Sequence, residues 1–532
     1  MLEQTLEAPR VAVPDRPPPA GPERRRAGTD LLIRHRWLLG AIGLLIVSLG
    51  VVLWGGTRPG YDPYGWLVWG KLTVHFNLDT NGAPAWKPLP FLFTVPFAVV
   101  GHYALWLWMT TAVAVSLSGP IFAWRIAFWL SEAPPERRYA AYAAGAFAAA
   151  AVLGISPVAG VGVGYTHFIF SAQSDTMIVA LCLAAIDCHL CGRRRWAFWL
   201  WVLAALGRPE VWPFLGFYAI WAWRAMPSMR KWIVAGVALV PLLWFGVPAL
   251  TAKSWFVAGS NSLHSPRALH NSLVIGTIQR FERLQATPIW VAAGLATIMA
   301  FLSVPVGQLR HPRAWWAALG HRQRFVLILA AFALTWLVVE IAFVLHGWPG
   351  VPRYLFEAAA VVALLAGIFV GRVILDLPRL IARAAPRLSE KRIAPRLATR
   401  LGSWGAVLVL AVLAGAMLPA AKTALRAERL DLKHERVRAT EINRLSTVVK
   451  RVGVARIIAC GQPDIPIGYQ SVLAWYMGVK IGALYVNPAY DKLHPHSMVK
   501  LLPLSNGWVV FSSHVTAASP AACRGLHFVF RS

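Results

Sequence analysis

Asp62 and Lys87 are the residues of this 532-residue chain whose types and setting best suit chemistry. They frame a stretch rich in aromatics (Tyr61, Tyr64, Trp66, Trp69) that closes on Trp86-Lys87-Pro88-Leu89-Pro90. A carboxylate beside a lysine is the minimum needed to activate a hydroxyl next to an anionic leaving group. The carboxylate takes the proton, and the lysine, helped by arginines, steadies the phosphate charge that develops. Further polar residues fall near the ends of long apolar runs: Asp79, then Gln173-Ser174-Asp175, Arg208 and Glu210, Glu340, and finally Arg353 and Glu357. Ionisable groups at membrane depth are costly, so each is a candidate for function.

Several of these also have ordinary readings. Arg353 and Glu357 are spaced i, i+4 and suit a plain helix-surface pair. Glu340 suits a buried arginine's partner. Asp79-Thr80-Asn81-Gly82 is built of turn residues, which favours a structural Asp79. His167, His264 and His270 are scattered without ligand spacing, so no metal site is expected. Cys188-x-x-Cys191, with Cys182 nearby, lies in apolar surroundings that speak against a redox role.

The elements that must hold these residues follow from composition. The chain is 57% hydrophobic and only 14% charged, against about a quarter charged in ordinary soluble domains. That excludes a soluble cytosolic enzyme and a disordered or collagen-like chain, and five cysteines exclude a disulfide scaffold. Runs long enough to cross a bilayer, or nearly so, occur at 37–54, 103–129, 140–156, 172–190, 196–207, 210–223, 232–250, 287–307, 324–345, 352–372 and 404–421. The expected fold is therefore a polytopic α-helical membrane protein of about eleven spans. The short pair 196–207 and 210–223 could also form one broken helix, but that would place the eight basic residues of 372–401 outside. With two separate spans the inner segments hold 25 Lys and Arg against 9 in the outer loops, which obeys the positive-inside rule. The formal net charge of +29 is thus mostly orientation, and nucleic acid is not expected as a partner. The 26 tryptophans suit anchoring at two membrane–water interfaces.

This topology gives a disordered, basic cytoplasmic tail at 1–36, a transmembrane domain at 37–421 with the outer loop 55–88, and an extracytoplasmic α/β domain at 422–532. In the last, a charged helix is expected near 424–452 and strands at Val454–Cys460, Val479–Val486, Gly507–Ser512 and His527–Phe530. Cys460 and Cys523 share a disulfide-permissive compartment; a bridge and two buried free thiols are both open. No internal repeat is evident, which disfavours many transporter folds.

Taken together, Asp62, Lys87-Pro88-Leu89, the short paired spans around Arg208-Pro209-Glu210, and Gly347-Trp-Pro-Gly-Val-Pro-Arg353-Tyr354-Leu355 resemble the GT-C superfamily of polytopic glycosyltransferases. The branch resembled contains protein O-mannosyltransferases, lipid A aminoarabinose transferases and actinobacterial cell-wall arabinosyl- and mannosyltransferases, and the likeness spans roughly residues 37–375. One departure is Asp62-Pro63, where the family often carries a second acid. It leaves the base to Asp62 alone and weakens any metal site built from paired acids.

The resemblance implies a polyprenyl-phosphate sugar donor and inverting transfer, outside the cytoplasmic membrane, to a hydroxyl of a glycan, lipid or protein acceptor. Asp62 would be the base, and Lys87 and Arg353, with Arg208, would hold the donor phosphate. Asp175, Glu210, Gln173 and Asp79 would contact sugar or acceptor. A Pro- and Trp-rich groove would take the polyprenyl chain, and the tail domain would bind the acceptor or cover the site. The lipid bilayer is the other expected partner, and no cofactor is implied. The competing readings are a transporter or lipid flippase, which would want polar residues along the full depth, and a non-catalytic envelope-assembly protein of the same fold.

Overall fold

A computed structural model describes residues 27–531, apart from 83, 158–162, 264–267, 270–271, 305–309, 389–394, 488–497, 513–520 and 525. His264, His270 and most of the expected N-terminal tail therefore lie outside the described residues. Helix α1 (Ala27–Gly55) starts ten residues ahead of the apolar run that seeds it, so the last part of that tail is helical. A loop follows that holds α2 (Tyr61–Val74) and α3 (Pro88–Ala98), before α4 (Ala104–Leu130), α5 (Arg138–Leu153), α6 (Tyr165–Phe170) and α7 (Ser174–Leu190). Next come α8 (Arg194–Gly207) and α9 (Trp212–Ala225). Helix α10 (Arg230–Pro241) then continues through a wider turn into α11 (Val247–Thr251). The chain goes on through α12 (Val257–Leu263), α13 (Leu273–Glu282), α14 (Thr287–Phe301), α15 (Pro312–Ala318), α16 (His321–Leu345), α17 (Phe356–Leu388) and α18 (Pro395–Val452). Prolines open many of these helices, at Pro88, Pro288 and Pro312 for instance, where the missing N–H costs nothing and the fixed φ favours the first turn.

The protein is a multi-pass membrane protein. Among the described residues six helices are long and apolar enough to cross a bilayer, or seven if α13 and α14, bent by 94° at their junction, form one span. The expectation of eleven exceeds this because α5, α7, α8 and α9, of 14 to 17 residues each, fall short of the roughly 20 that a span needs alone. Helix α17 forms the centre and is buried along nearly all of its apolar length. Small residues let it come close to α5: a Cβ at Gly367 would stand 2.6 Å from the carbonyl oxygen of Ala144. Such close small-residue contact replaces the hydrophobic drive that lipid does not supply.

The expected span 404–421 and the charged helix after it are one continuous helix, α18, of 58 residues. Pro419 lies inside it but does not end it. Beyond it, Val454–Cys460 is not a strand. Gly453, at φ +87°, ends α18, and Val454–Ala459 forms the short helix α19, which buries Ile457 and leaves Ile458 exposed. The sheet comprises β1 (Gln462–Pro466), β2 (Tyr485–Asn487), β3 (Met498–Leu504), β4 (Gly507–Ser512) and β5 (His527–Arg531), in the order β2-β1-β3-β4-β5. Strand β1 runs parallel to β2 and β3, while β3–β4 and β4–β5 are antiparallel. Helix α20 (Gln470–Met477) connects β1 to β2 and packs on α2.

Cys460 and Cys523 form a disulfide across a sequence separation of 63 residues, which ties the end of α19 to the segment before β5. In the chain-entropy model a loop of that length confers about 4 kcal/mol on the folded sheet. Replacing both cysteines by serine should lower the stability of the region after residue 460 by that order. Pulse proteolysis in denaturant measures it, and equal resistance of the two proteins would show the bond to be dispensable.

Candidate functional site

Asp62 lies in the first turn of α2. The backbone leading to it is fixed from two directions. Arg438 of α18 donates to the carbonyl oxygens of Arg58 (3.1 Å) and Pro59 (2.8 Å), and the Gly60 N–H donates to the Ser171 carbonyl at 2.8 Å. The glycine at position 60 leaves room for the Gln173 amide, which a Cβ there would displace. Helix α20 packs on α2 beside Tyr61; burial, then the Asp62 charge, push the Tyr61 phenol pKa up. The sheet region therefore braces the helix that presents Asp62.

Lys87 precedes Pro88, and its extended backbone (φ −140°, ψ 116°) is the conformation a following proline favours. Its Nζ donates to Ser174 Oγ at 3.2 Å and stands 5.7 Å from the Trp66 ring centroid. Burial pushes the ammonium pKa down, and the Asp175 carboxylate opposes that shift. The turn that delivers Ser174 and Asp175 includes Ala172 at φ +50°, a strained conformation for a residue with a side chain. The Trp108 indole holds it by donating to the Ala172 carbonyl at 3.1 Å.

Arg208 sits at the break between α8 and α9. Pro209 has no N–H to give the Ala205 carbonyl four residues back, so that oxygen needs other donors. The indoles of Trp212 (3.0 Å) and Trp244 (2.9 Å) supply them. The break turns the Arg208 side chain inward, where it is 2% exposed. It is hydrogen-bonded to Asp175, stands 3.8 Å from both Glu210 and Glu357, and lies over the Tyr354 ring at 4.5 Å. Arg353, in the turn before α17, reaches Asp62 at 3.9 Å and Asp175 at 3.7 Å. Among the described residues Arg353 and Glu357 do not pair with each other, so the helix-surface reading of that spacing does not apply.

These groups form two layers. Asp62 and Arg353 keep 16% and 22% of their side-chain surface, and Lys87 is half-buried. Behind them Asp175, Arg208, Glu210 and Glu357 are buried, together with Glu340 of α16, whose two carboxylate oxygens have no hydrogen-bond partner. Gln173 is buried beside Gly60, with its Oε1 unpartnered. Asp79 stands apart from this cluster. Its carboxylate accepts from the Asn81 backbone and side chain at 2.9 and 2.7 Å and meets Lys480 at 3.7 Å, closing the turn against the sheet region. Tyr354 under both guanidiniums and Trp66 under Lys87 are contributors that residue type alone does not reveal. Among the described residues no group of three His, Cys, Asp or Glu is disposed to hold a metal ion. His167 pairs with Asp431 at 3.0 Å, and Cys182, Cys188 and Cys191 are free thiols.

No protein-family model and no curated protein matches this chain. Among solved structures, the crystal structure of ArnT from Cupriavidus metallidurans in the apo state is similar at a TM-score of 0.47 and 15% identity, covering 86% of this chain and 87% of that one. The structure of ArnT from the same organism bound to undecaprenyl phosphate gives a TM-score of 0.40 and 14% identity, over 91% of this chain and 99% of that one.

Proposed function

We propose that this chain is a membrane glycosyltransferase of GT-C type. It moves a sugar from a polyprenyl-phosphate donor to a hydroxyl of a glycan, lipid or protein of the cell envelope. The observation that carries the reading is the accessible layer of the charged cluster, where Asp62, Lys87 and Arg353 meet from three separate stretches of chain. A single carboxylate with two cations is what hydroxyl activation beside a phosphate leaving group requires.

Asp62 takes the acceptor's proton as its oxygen attacks the anomeric carbon. The bond from that carbon to the phosphate oxygen breaks, the configuration inverts, and polyprenyl phosphate departs with its charge held by Lys87 and Arg353. Arg208 stands behind them with its charge already shared among three carboxylates, so its task is to position Asp175 and, through it, Arg353. Asp175, Glu210 and Gln173 lie in the buried layer, so they support the sugar and acceptor site from behind through Arg208, Arg353 and the Gly60 turn, and Asp79 serves its own turn. An apolar cavity of about 440 Å³, walled by Phe281, Trp290, Leu337 and Leu365, lies one helical turn along α16 from Glu340 and suits an isoprenoid chain. In the membrane the N-terminus lies inside, and the six or seven long spans are joined by the shorter α5, α7, α8 and α9, which cross packed against their neighbours rather than alone, for eleven crossings in all. The basic segments then face the cytoplasm, and the site and sheet face outward.

The test is transfer by the purified protein from polyprenyl-phosphate sugars to glycan acceptors. Asp62→Asn should cut turnover by about 10²- to 10⁴-fold while donor binding persists, and Lys87→Ala should weaken donor binding. Absence of transfer by the unaltered chain from any donor would defeat the enzyme reading; full activity of Asp62→Asn would defeat only the assignment of the base.

Arg208 and Arg353 should separate by stability. Arg208→Met strands buried carboxylates and should cost about 3–5 kcal/mol, visible as a lower unfolding temperature in detergent. Arg353→Met, at the accessible layer, should raise the donor KM with little change in unfolding. Equal unfolding behaviour of the two variants would contradict the two-layer assignment.

A further inference from the structure

We infer that the end of the bundle opposite this site holds a binding site for an anionic phospholipid. A cavity of about 580 Å³ opens there between α14, α16 and α17. Its deep wall is apolar, made by Ala296 and Ala300 of α14, Val326 of α16 and Ile368 of α17. Its mouth carries Arg322, Arg372 and Arg379, with Asp376 and Gln323. Small side chains on α14 leave room beside a bundle that is otherwise closely packed, and acyl chains match such a wall.

The charges at the mouth do not cancel. Arg372 is held in place by both oxygens of Asp376 and by donating to the Ser131 carbonyl at 3.1 Å. Arg322 uses Nη1 on Glu132 at 3.0 Å, a carboxylate that is itself 47% exposed. Arg379 is half exposed and 4.0 Å from Asp376. Three guanidiniums face two carboxylates, and the remaining N–H groups of Arg322 and Arg379 are placed to take a phosphodiester, whose oxygens a guanidinium fork matches. Basic pockets between membrane helices, with apolar surface beneath them, suit anionic headgroups. A zwitterionic lipid would bring its own cation to a mouth that is already positive. Inorganic phosphate would make no use of the apolar wall.

Native mass spectrometry of the full-length protein in detergent tests this, with dioleoyl phosphatidylglycerol, dioleoyl phosphatidylcholine and inorganic phosphate as probes. Phosphatidylglycerol should be retained as a single adduct, about fivefold or more tightly than phosphatidylcholine, and phosphate should not displace it. Arg322→Gln and Arg379→Gln should each weaken that adduct about fivefold. Arg195→Gln, which removes an exposed arginine outside the cavity, should leave it unchanged. Arg379 is exposed enough that its variant keeps the fold, and an unaltered unfolding temperature checks this. Equal retention of the two lipids, displacement by phosphate, or an equal loss with Arg195→Gln would overturn the proposal.

Discussion

The site is organised by one buried guanidinium. Arg208 cannot lose its charge and cannot be left unpaired in an apolar bundle, so the fold has to bring carboxylates to it. Asp175 comes from the first turn of α7, Glu210 from the break after α8, and Glu357 from the first turn of α17. Helices far apart in sequence are thereby fixed at one depth. A mispacked bundle would leave at least one buried charge alone. That penalty gives the interior a register that apolar contacts, which slide easily against one another, would not supply.

The same arrangement separates structure from accessible chemistry. The buried acids occupy Arg208, so it has little left for a ligand, while Arg353 divides its attention between Asp175 and Asp62 at distances just under 4 Å. A second set of contacts comes from outside the bundle. Arg436 and Arg438 of α18 bind the carbonyl oxygens of residues 54, 55, 58 and 59, and α20 packs on α2. The loop that carries Asp62 is therefore held by the bundle on one side and the sheet region on the other.

Much of this was legible in residue types. Apolar runs located the helices, and Lys87-Pro88 and Pro209 marked chain breaks because proline removes an N–H and restricts its neighbour. Partner choice was not legible: Arg353 and Glu357 share the spacing of a helix pair, yet each finds its counterion on another element. Nor was strand β1, whose Gln-Pro-Asp-Ile-Pro sequence argues against a strand, although it lies between β2 and β3. Its parallel ladders are short enough to tolerate two missing donors. Tryptophans expected at the interfaces proved partly internal. Trp66, Trp69, Trp86, Trp108 and Trp336 are fully buried, and several serve as donors to carbonyls, as Trp212 and Trp244 do at the α8 break.

Helix α18 also acts as a ruler with an angular phase. It runs unbroken for 58 residues, roughly 87 Å at 1.5 Å per residue, and its arginine clamp on the Asp62 loop lies well beyond its apolar stretch. Every added residue between those two parts would advance the clamp by about 1.5 Å and rotate it by about 100°. The apolar face and the clamp are thus timed to each other by helical pitch. Changes of length there would be tolerated only in near-whole turns, whatever the identity of the residues gained or lost.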